Sequence, residues 1–428
     1  MKNRILVVLL VVILCPHFMF AGGRSQNAAS QRDKVVTLLV DKDFDLSGTE
    51  AVMKAIEAQL GIRTEVEIRM GGTEGDNIVK TRLATGSMTD IFIYNTGSLF
   101  QALNPPQNLY DITNESYTAS ISDDFKNTVT FNGRVYGAPQ GSTMAGAILY
   151  NKVIYSELGL QVPHTWEAFL ANCEKISAAG KTAVIASLRD TWTSQLYLLG
   201  DNYNVKAAYP AWPQDYTANK AKYATTPAAL KGFQKTADIR PFLNRDYLAT
   251  SYDQAVEKLA LGEGAHWAML TQALSSVAGA YPDKINDIGV FGVPGDNPGN
   301  HGITVWTSNG IYLNKNSPQL ELAKQWLAFY VSQEGLRIYS QARKPDGPFS
   351  IKNVTLPDTV YAGVKEMQPY FNEGKADVAL EFESPIKGPN LEQILVEVMT
   401  GTLAPAQAAA LYDQDVAKQA IQLGIAGW

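Results

Sequence analysis

The sequence predicts an α/β protein built as two lobes, and three observations carry that expectation. The chain has 428 residues, more than one core of ordinary size holds, since domains run to about 100–200 residues. Its opening alternates short apolar runs with helical periods, the signature of a parallel sheet faced by helices. Further on, extended segments recur where the chain would pass from one lobe to the other.

The elements follow in order. Residues 35–40 are an unbroken apolar run and read as a buried strand. Over 49–60 the apolar positions Ala51, Val52, Ala55, Ile56 and Leu60 keep a helical period, ending at Gly61 as a C-cap. Residues 64–68 alternate as a strand, 76–85 are helical up to Gly86, and 91–94 form a third short strand. In such sheets ligands sit beyond the carboxyl ends of the strands. That places residues 41–43 and 95–98 on one rim.

Midway, 134–139 leads through a Gly- and Ser-containing loop to 148–151, a first crossing between lobes. Thr165 is the expected N-cap of a helix with Glu167 in its first turn. A strand over 182–186 ends before Trp192. Residues 288–294 read as a crossing that returns the chain to the first lobe. A strand over 309–313 and an amphipathic helix over 319–331 follow. The expected division is 35–141 plus 292–372 for the first lobe and 145–290 plus 375–428 for the second. Hinge crossings are expected near 139–147, 288–294 and 370–378.

The N-terminus carries an address. Lys2 and Arg4 precede an apolar run over 5–14, too short to span a bilayer but suited to a signal peptide, with cleavage expected after Ala21. The polar stretch 22–34 reads as a flexible tether. Cys15, between Leu14 and Pro16, offers an alternative in which lipidation tethers the chain to the cell surface. The mature chain is therefore expected to be exported, periplasmic and soluble. Losing Lys2 and Arg4 leaves 34 of 36 basic residues against 42 acidic ones, a net charge of −8. That balance argues against nucleic acid, which needs a basic patch. Cys173 remains alone, so packing must hold the fold; a buried structural thiol is its reading.

Several stretches, weak singly, form an ordered set: TGSMTDI at 85–91, NGRVYGAP at 132–139, LYNK at 149–152 and PHTWEAF at 163–169. ALGEGA at 260–265, AKQWLAF at 323–329 and TGTLAPAQA at 400–408 complete it. Their order resembles the extracellular solute-binding proteins of ATP-driven (ABC) importers, in the group that includes maltose-binding protein. The sequence departs from the family at His266-Trp267, where a Met is usual after Ala265, and at Thr89, where Pro is typical before the Asp. The resemblance implies a type II, periplasmic-binding-protein-like Venus flytrap with discontinuous lobes joined by a hinge. It also implies a mono- or oligosaccharide ligand delivered to the membrane permease subunits of an ABC importer. Such a chain is expected to work as a monomer without cofactor or metal.

Sugar recognition needs flat aromatic faces against the C–H faces of the ring and planar polar groups for its hydroxyls. On the first lobe Asp41 and Asp43 follow the first strand, and Thr73, Glu74 and Asp76 lie where a loop meets a helix start. Thr96 and Ser98 follow the third strand. Any surface acid is more often merely solvated. Ser142 lies in the first crossing. Asp190 and Trp192 share the spacing of an acid and an aromatic residue that contact sugar in the family; their structural reading is a capped helix start with a packing Trp. Trp267 follows ALGEGA, which lines the cleft in relatives, with core packing as its rival. Trp306 sits among Thr304, Thr307, Ser308 and Asn309, a stretch too polar for a core. Arg343 is either a bidentate clamp or an exposed charge. Trp326 falls on an apolar helical stripe and Trp166 at a helix start, both structural; Trp212 is a loop-packing residue or a pocket wall.

Catalysis finds little support. His164, His266 and His301 lack metal-ligand spacing, Lys175 stands where a phosphate loop before Gly180-Lys181-Thr182 needs Gly, and there is no G-x-S-x-G. The stronger rival is a receptor for a non-sugar polar solute, such as a polyamine or a polyol phosphate. A carbohydrate-active enzyme ranks last.

Overall fold

The computed structural model describes residues 34–354 and 359–428. The expected signal segment, Cys15 and the tether up to residue 33 lie outside the described residues. Among the described residues no helix is long and apolar enough to cross a membrane.

Two sheets organise the chain. In the first, Lys34–Asp41 lies between Ile62–Arg69 and Ile91–Tyr94, parallel to both; Gly310–Leu313 and Gly137–Pro139 extend the sheet antiparallel. Val36, Leu38 and Val40 alternate with Leu39 to bury both faces, which is why the segment reads as a continuous apolar run. Helix Ser47–Leu60 covers one face and stops at Gly61, in the left-handed conformation that glycine adopts readily. It packs on helices Leu320–Tyr330 and Gln333–Ala342. The stripe predicted for the former is real: Trp326 and Tyr330 are fully buried and stack at 5.1 Å.

The second sheet is built around Met144–Asn151, buried along its whole length. Gly264–Leu270 pairs along one edge and Thr182–Val184 lies beyond it. The other edge is shared end to end by Ile288–Gly292, opposite residues 147–151, and Ile303–Trp306, opposite 144–146. Ala376–Val378 pairs with Ile303–Trp306. Helix Trp166–Ala178 packs on this sheet, capped as expected by the Thr165 hydroxyl accepting from the Ala168 amide. Cys173 is buried there beside His266. A third core joins Trp212, Tyr216 and Phe233 to the C-terminal helices Leu391–Thr400 and Pro405–Gln422. Trp212 is thus a packing residue.

The lobes divide differently from the sequence expectation after residue 288. The segment Ile288–Gly292 is no crossing: it completes the edge of Met144–Asn151, and its apolar side chains join the second core. Ile303–Trp306 stays in the second sheet, so the return to the first lobe falls between Trp306 and Gly310. Helix Ala362–Asn372 packs on Ile288–Gly292 and buries Val364 and Met367 in the second core. The last crossing therefore precedes it, in place of 370–378. Within 139–147 the chain leaves the first sheet after Pro139 and enters the second at Met144.

Candidate ligand-binding cleft

The carboxyl ends of the first-lobe strands face the second lobe across a cavity of ≈ 150 Å³. That is about ten times what a single water requires, so sugar-sized polar ligands fit. Asp41 ends its strand at the rim, with Arg69 of the neighbouring strand 3.0 Å away. Burial pushes the Asp41 carboxyl up, with Arg69 pulling it back. Asp76, on the first turns of helix Gly72–Thr85, is raised by burial as well, against Tyr94, Lys80 and Arg69. After strand Ile91–Tyr94, the Thr96 hydroxyl meets that of Thr307 at 3.0 Å. The buried Ser98 hydroxyl has no partner among the described residues although it lines the cavity. An unpaired buried hydroxyl is costly, and a ligand hydroxyl would satisfy it.

The second lobe contributes a wall of rings and charges. Trp306, at the end of its strand, lies flat over Gly146 on the neighbouring strand. A Cβ at Gly146 would sit 2.2 Å from the indole ring, so the absence of a side chain there seats the tryptophan. Its N–H donates to Glu381 at 2.5 Å, and the other Glu381 oxygen accepts from Lys387 at 2.8 Å. Burial works against the charged Lys387 ammonium, but Glu381, Glu392 and Asp76 outweigh it and raise its pKa. Trp192, which stacks on Tyr252 at 5.9 Å, forms another part of the wall with Gln195 and Glu392.

The structure thus brings Asp41, Asp43, Thr96, Ser98, Trp192 and Trp306 to the cavity. Five other residues singled out in the sequence lie elsewhere. Glu74 is exposed on the outer side of its helix and Thr73 and Asp76 line the cavity in its place. Asp190 accepts from the Tyr252 amide at 2.7 Å and pairs with Lys42 at 2.9 Å, holding the lobes together beside the cavity. Trp267 is 1% exposed and packs on Tyr252 inside the second core, because strand Gly264–Leu270 is buried on both faces. Arg343 is buried at the hinge and committed to protein: it pairs with Asp346 at 2.6 Å and Asp45 at 3.2 Å, and donates to the Tyr339 hydroxyl at 2.6 Å. Ser142 joins the same network, accepting from the Asp346 amide at 2.8 Å. Both border only a small hinge-side hollow.

Glu381, Lys387 and Glu392 carry no signal that sequence reasoning could have used. They come from a segment some two hundred residues beyond Trp192, in no motif, and only the return of the C-terminal helices brings them to the cleft.

Two α/β lobes enclosing a polar, aromatic-walled cleft define a receptor that takes its ligand between domains. The sequence model of the bacterial extracellular solute-binding protein family matches residues 46–336, and the chain belongs to that family. It is 24% identical over 364 residues to the multiple sugar-binding protein of Streptococcus mutans, covering 80% of this chain and 82% of that protein. The fold matches that of a chitin oligosaccharide binding protein with a TM-score of 0.76, at 21% identity over 90% of this chain and 98% of that one. It also matches the solute-binding protein RafE in complex with raffinose, with a TM-score of 0.72 and 19% identity over 89% and 99% of the two chains.

Proposed function

We propose that this chain is the exported binding subunit of an ABC importer, which captures a mono- or oligosaccharide by hinge closure and hands it to the membrane permease. The observation that carries the reading is the make-up of the cleft. Indole faces on the second lobe oppose carboxylates and the unpartnered Ser98 hydroxyl on the first, the two kinds of group a sugar ring requires together. The charges favour a neutral polyhydroxyl ligand over the rivals. A polyamine calls for uncompensated acid, yet Arg69 and Lys387 already neutralise Asp41 and Glu381. A phosphate calls for uncompensated cations, yet the same pairing occupies Arg69 and Lys387, and the remaining lysine of the lining, Lys80, acts on the neighbouring Asp76.

Binding requires no chemistry. Contacts to both lobes exist only when the cleft is closed, so ligand draws the population toward closure. The relatives named for multiple sugars, chitin oligosaccharides and raffinose point the same way. A thermal-shift screen tests the assignment with mono-, di- and trisaccharides, chitin oligosaccharides, polyols, sugar phosphates and spermidine. Ligands that bind only the folded state raise its midpoint. The reading expects a saccharide to give the largest rise; a rise with spermidine or a sugar phosphate alone overturns it.

A further inference from the structure

Helix Gly72–Thr85 opens on Gly71 and Gly72, and no side chain of its own caps the first turn. The Glu392 carboxylate of the second lobe lies against this end of the helix. A Cβ at Gly72 would lie 3.1 and 3.3 Å from the two Glu392 oxygens and 3.4 Å from the Trp192 Cβ. Gly72 also has φ +64°, so both backbone conformation and space at this junction depend on glycine. Glu392 is held from behind by its own lobe: the Thr191 hydroxyl donates to one oxygen at 2.8 Å and the Gln195 amide to the other at 3.4 Å. Beside it, the Thr73 hydroxyl donates to the Pro389 carbonyl across the lobes at 3.4 Å.

We infer that Glu392 is a positioning residue for cleft closure: a carboxylate of the second lobe that supplies the missing N-terminal cap of a first-lobe helix. The physical reason is that a helix N-terminus carries about half a positive charge and four unpaired amides. A carboxylate is worth most there, and it can reach only when the lobes are together. The contact therefore favours the closed form directly. Burial pushes the Glu392 carboxyl above its usual range, the Thr191 hydroxyl and Lys387 pull it back, and the Thr73 amide adds to that pull. That pattern fits a charge taken out of water and partnered across the seam. The inference rests on the reading that this cleft opens and closes around its ligand.

The test needs no sugar, so it separates from the ligand assignment. The ligand-free chain is compared with Glu392→Ala, Glu392→Gln and Thr191→Ala, and with Glu334→Ala as a distant exposed control. Small-angle scattering gives the radius of gyration, and hydrogen exchange reads the amides of residues 73–75. The expected result is a larger radius for Glu392→Ala and first-turn exchange about two- to fivefold faster, with Glu392→Gln intermediate and Glu334→Ala unchanged. Thr191→Ala, which keeps the carboxylate but loosens it, shifts both readings the same way by less; it decides the matter if Glu392→Ala folds poorly. Wild-type radius and first-turn exchange in the Glu392 and Thr191 variants would overturn the inference. Those shifts in a chain that binds no saccharide would leave the latch standing and the ligand assignment refuted.

Discussion

Trp192 of the second lobe donates its indole N–H to the Asp43 carboxylate of the first across 2.9 Å. The pair spans the cleft, so these residues, both expected to touch ligand, also touch each other. Lys42 bridges the same seam to Asp190 at 2.9 Å. A hydrogen bond to a charged acceptor is worth about 1.5–3 kcal/mol. Trp192→Phe keeps the stacking on Tyr252 but deletes the donor. Saccharide affinity is expected to fall about ten- to hundredfold, with little change in melting midpoint. Titration calorimetry measures it, and unchanged affinity would show that the seam plays no part in capture.

Trp306 depends on what lies beneath it. Gly146→Ala puts a methyl 2.2 Å from the indole ring and must tilt it off the strand. The expected outcome is a loss of saccharide affinity approaching that of Trp306→Ala, although residue 146 is itself masked from ligand by the ring. Equal affinity in wild type and Gly146→Ala would mean that the ring contributes no contact.

Arg343 belongs to the hinge. Removing it strands the buried Asp346, whose carboxylate otherwise accepts from Arg343 at 2.6 Å and from Ser275 at 2.7 Å. Breaking a buried ion pair costs about 3–5 kcal/mol. Arg343→Met is therefore expected to lower the urea midpoint markedly. Affinity measured well below that midpoint should change far less than in Trp306→Ala. The reverse pattern, intact stability with lost binding, would restore Arg343 as a ligand clamp.

His266 gives a pH signature. Burial drives its pKa from 6.5 down to about 3, despite its bond to the Ala183 carbonyl. Above pH of about 6.5 the imidazole is neutral in both states and contributes no pH dependence. As the pH falls below that value the unfolded chain takes up a proton the folded one refuses, so stability is lost by about 1.4 kcal/mol per unit. Buried carboxylates with raised pKa, such as Asp346, act in the opposite sense, so the comparison needs His266→Gln. Urea unfolding between pH 7 and 5 is expected to show a flatter profile for the variant; parallel profiles would exclude this role.

Much of the fold was legible because its cues are local. The run at 35–40, the glycine stops at Gly61 and Gly86 and the Thr165 cap each describe a neighbourhood of a few residues. The later crossing points were not: Ile288–Gly292 and a hinge strand have the same apolar composition, and only pairing with Met144–Asn151 distinguishes them. In the cleft, strand order brought Asp41, Thr96 and Ser98 to the rim. Trp267 misled because the resemblance ran its segment along the cleft, while the strand it stands in is buried on both faces and turns this ring into the second core. Glu381, Lys387 and Glu392 were out of reach because chain return, and no motif, brings them there.

In the proposed function a saccharide is held between the lobes by closing them. Small-angle scattering of the chain, with and without the saccharide that gives the largest thermal shift, tests it most directly. The radius of gyration is expected to fall at saturation, and the fall to be abolished by Trp306→Ala at the same saccharide concentration. A saturated chain with an unchanged radius would contradict it.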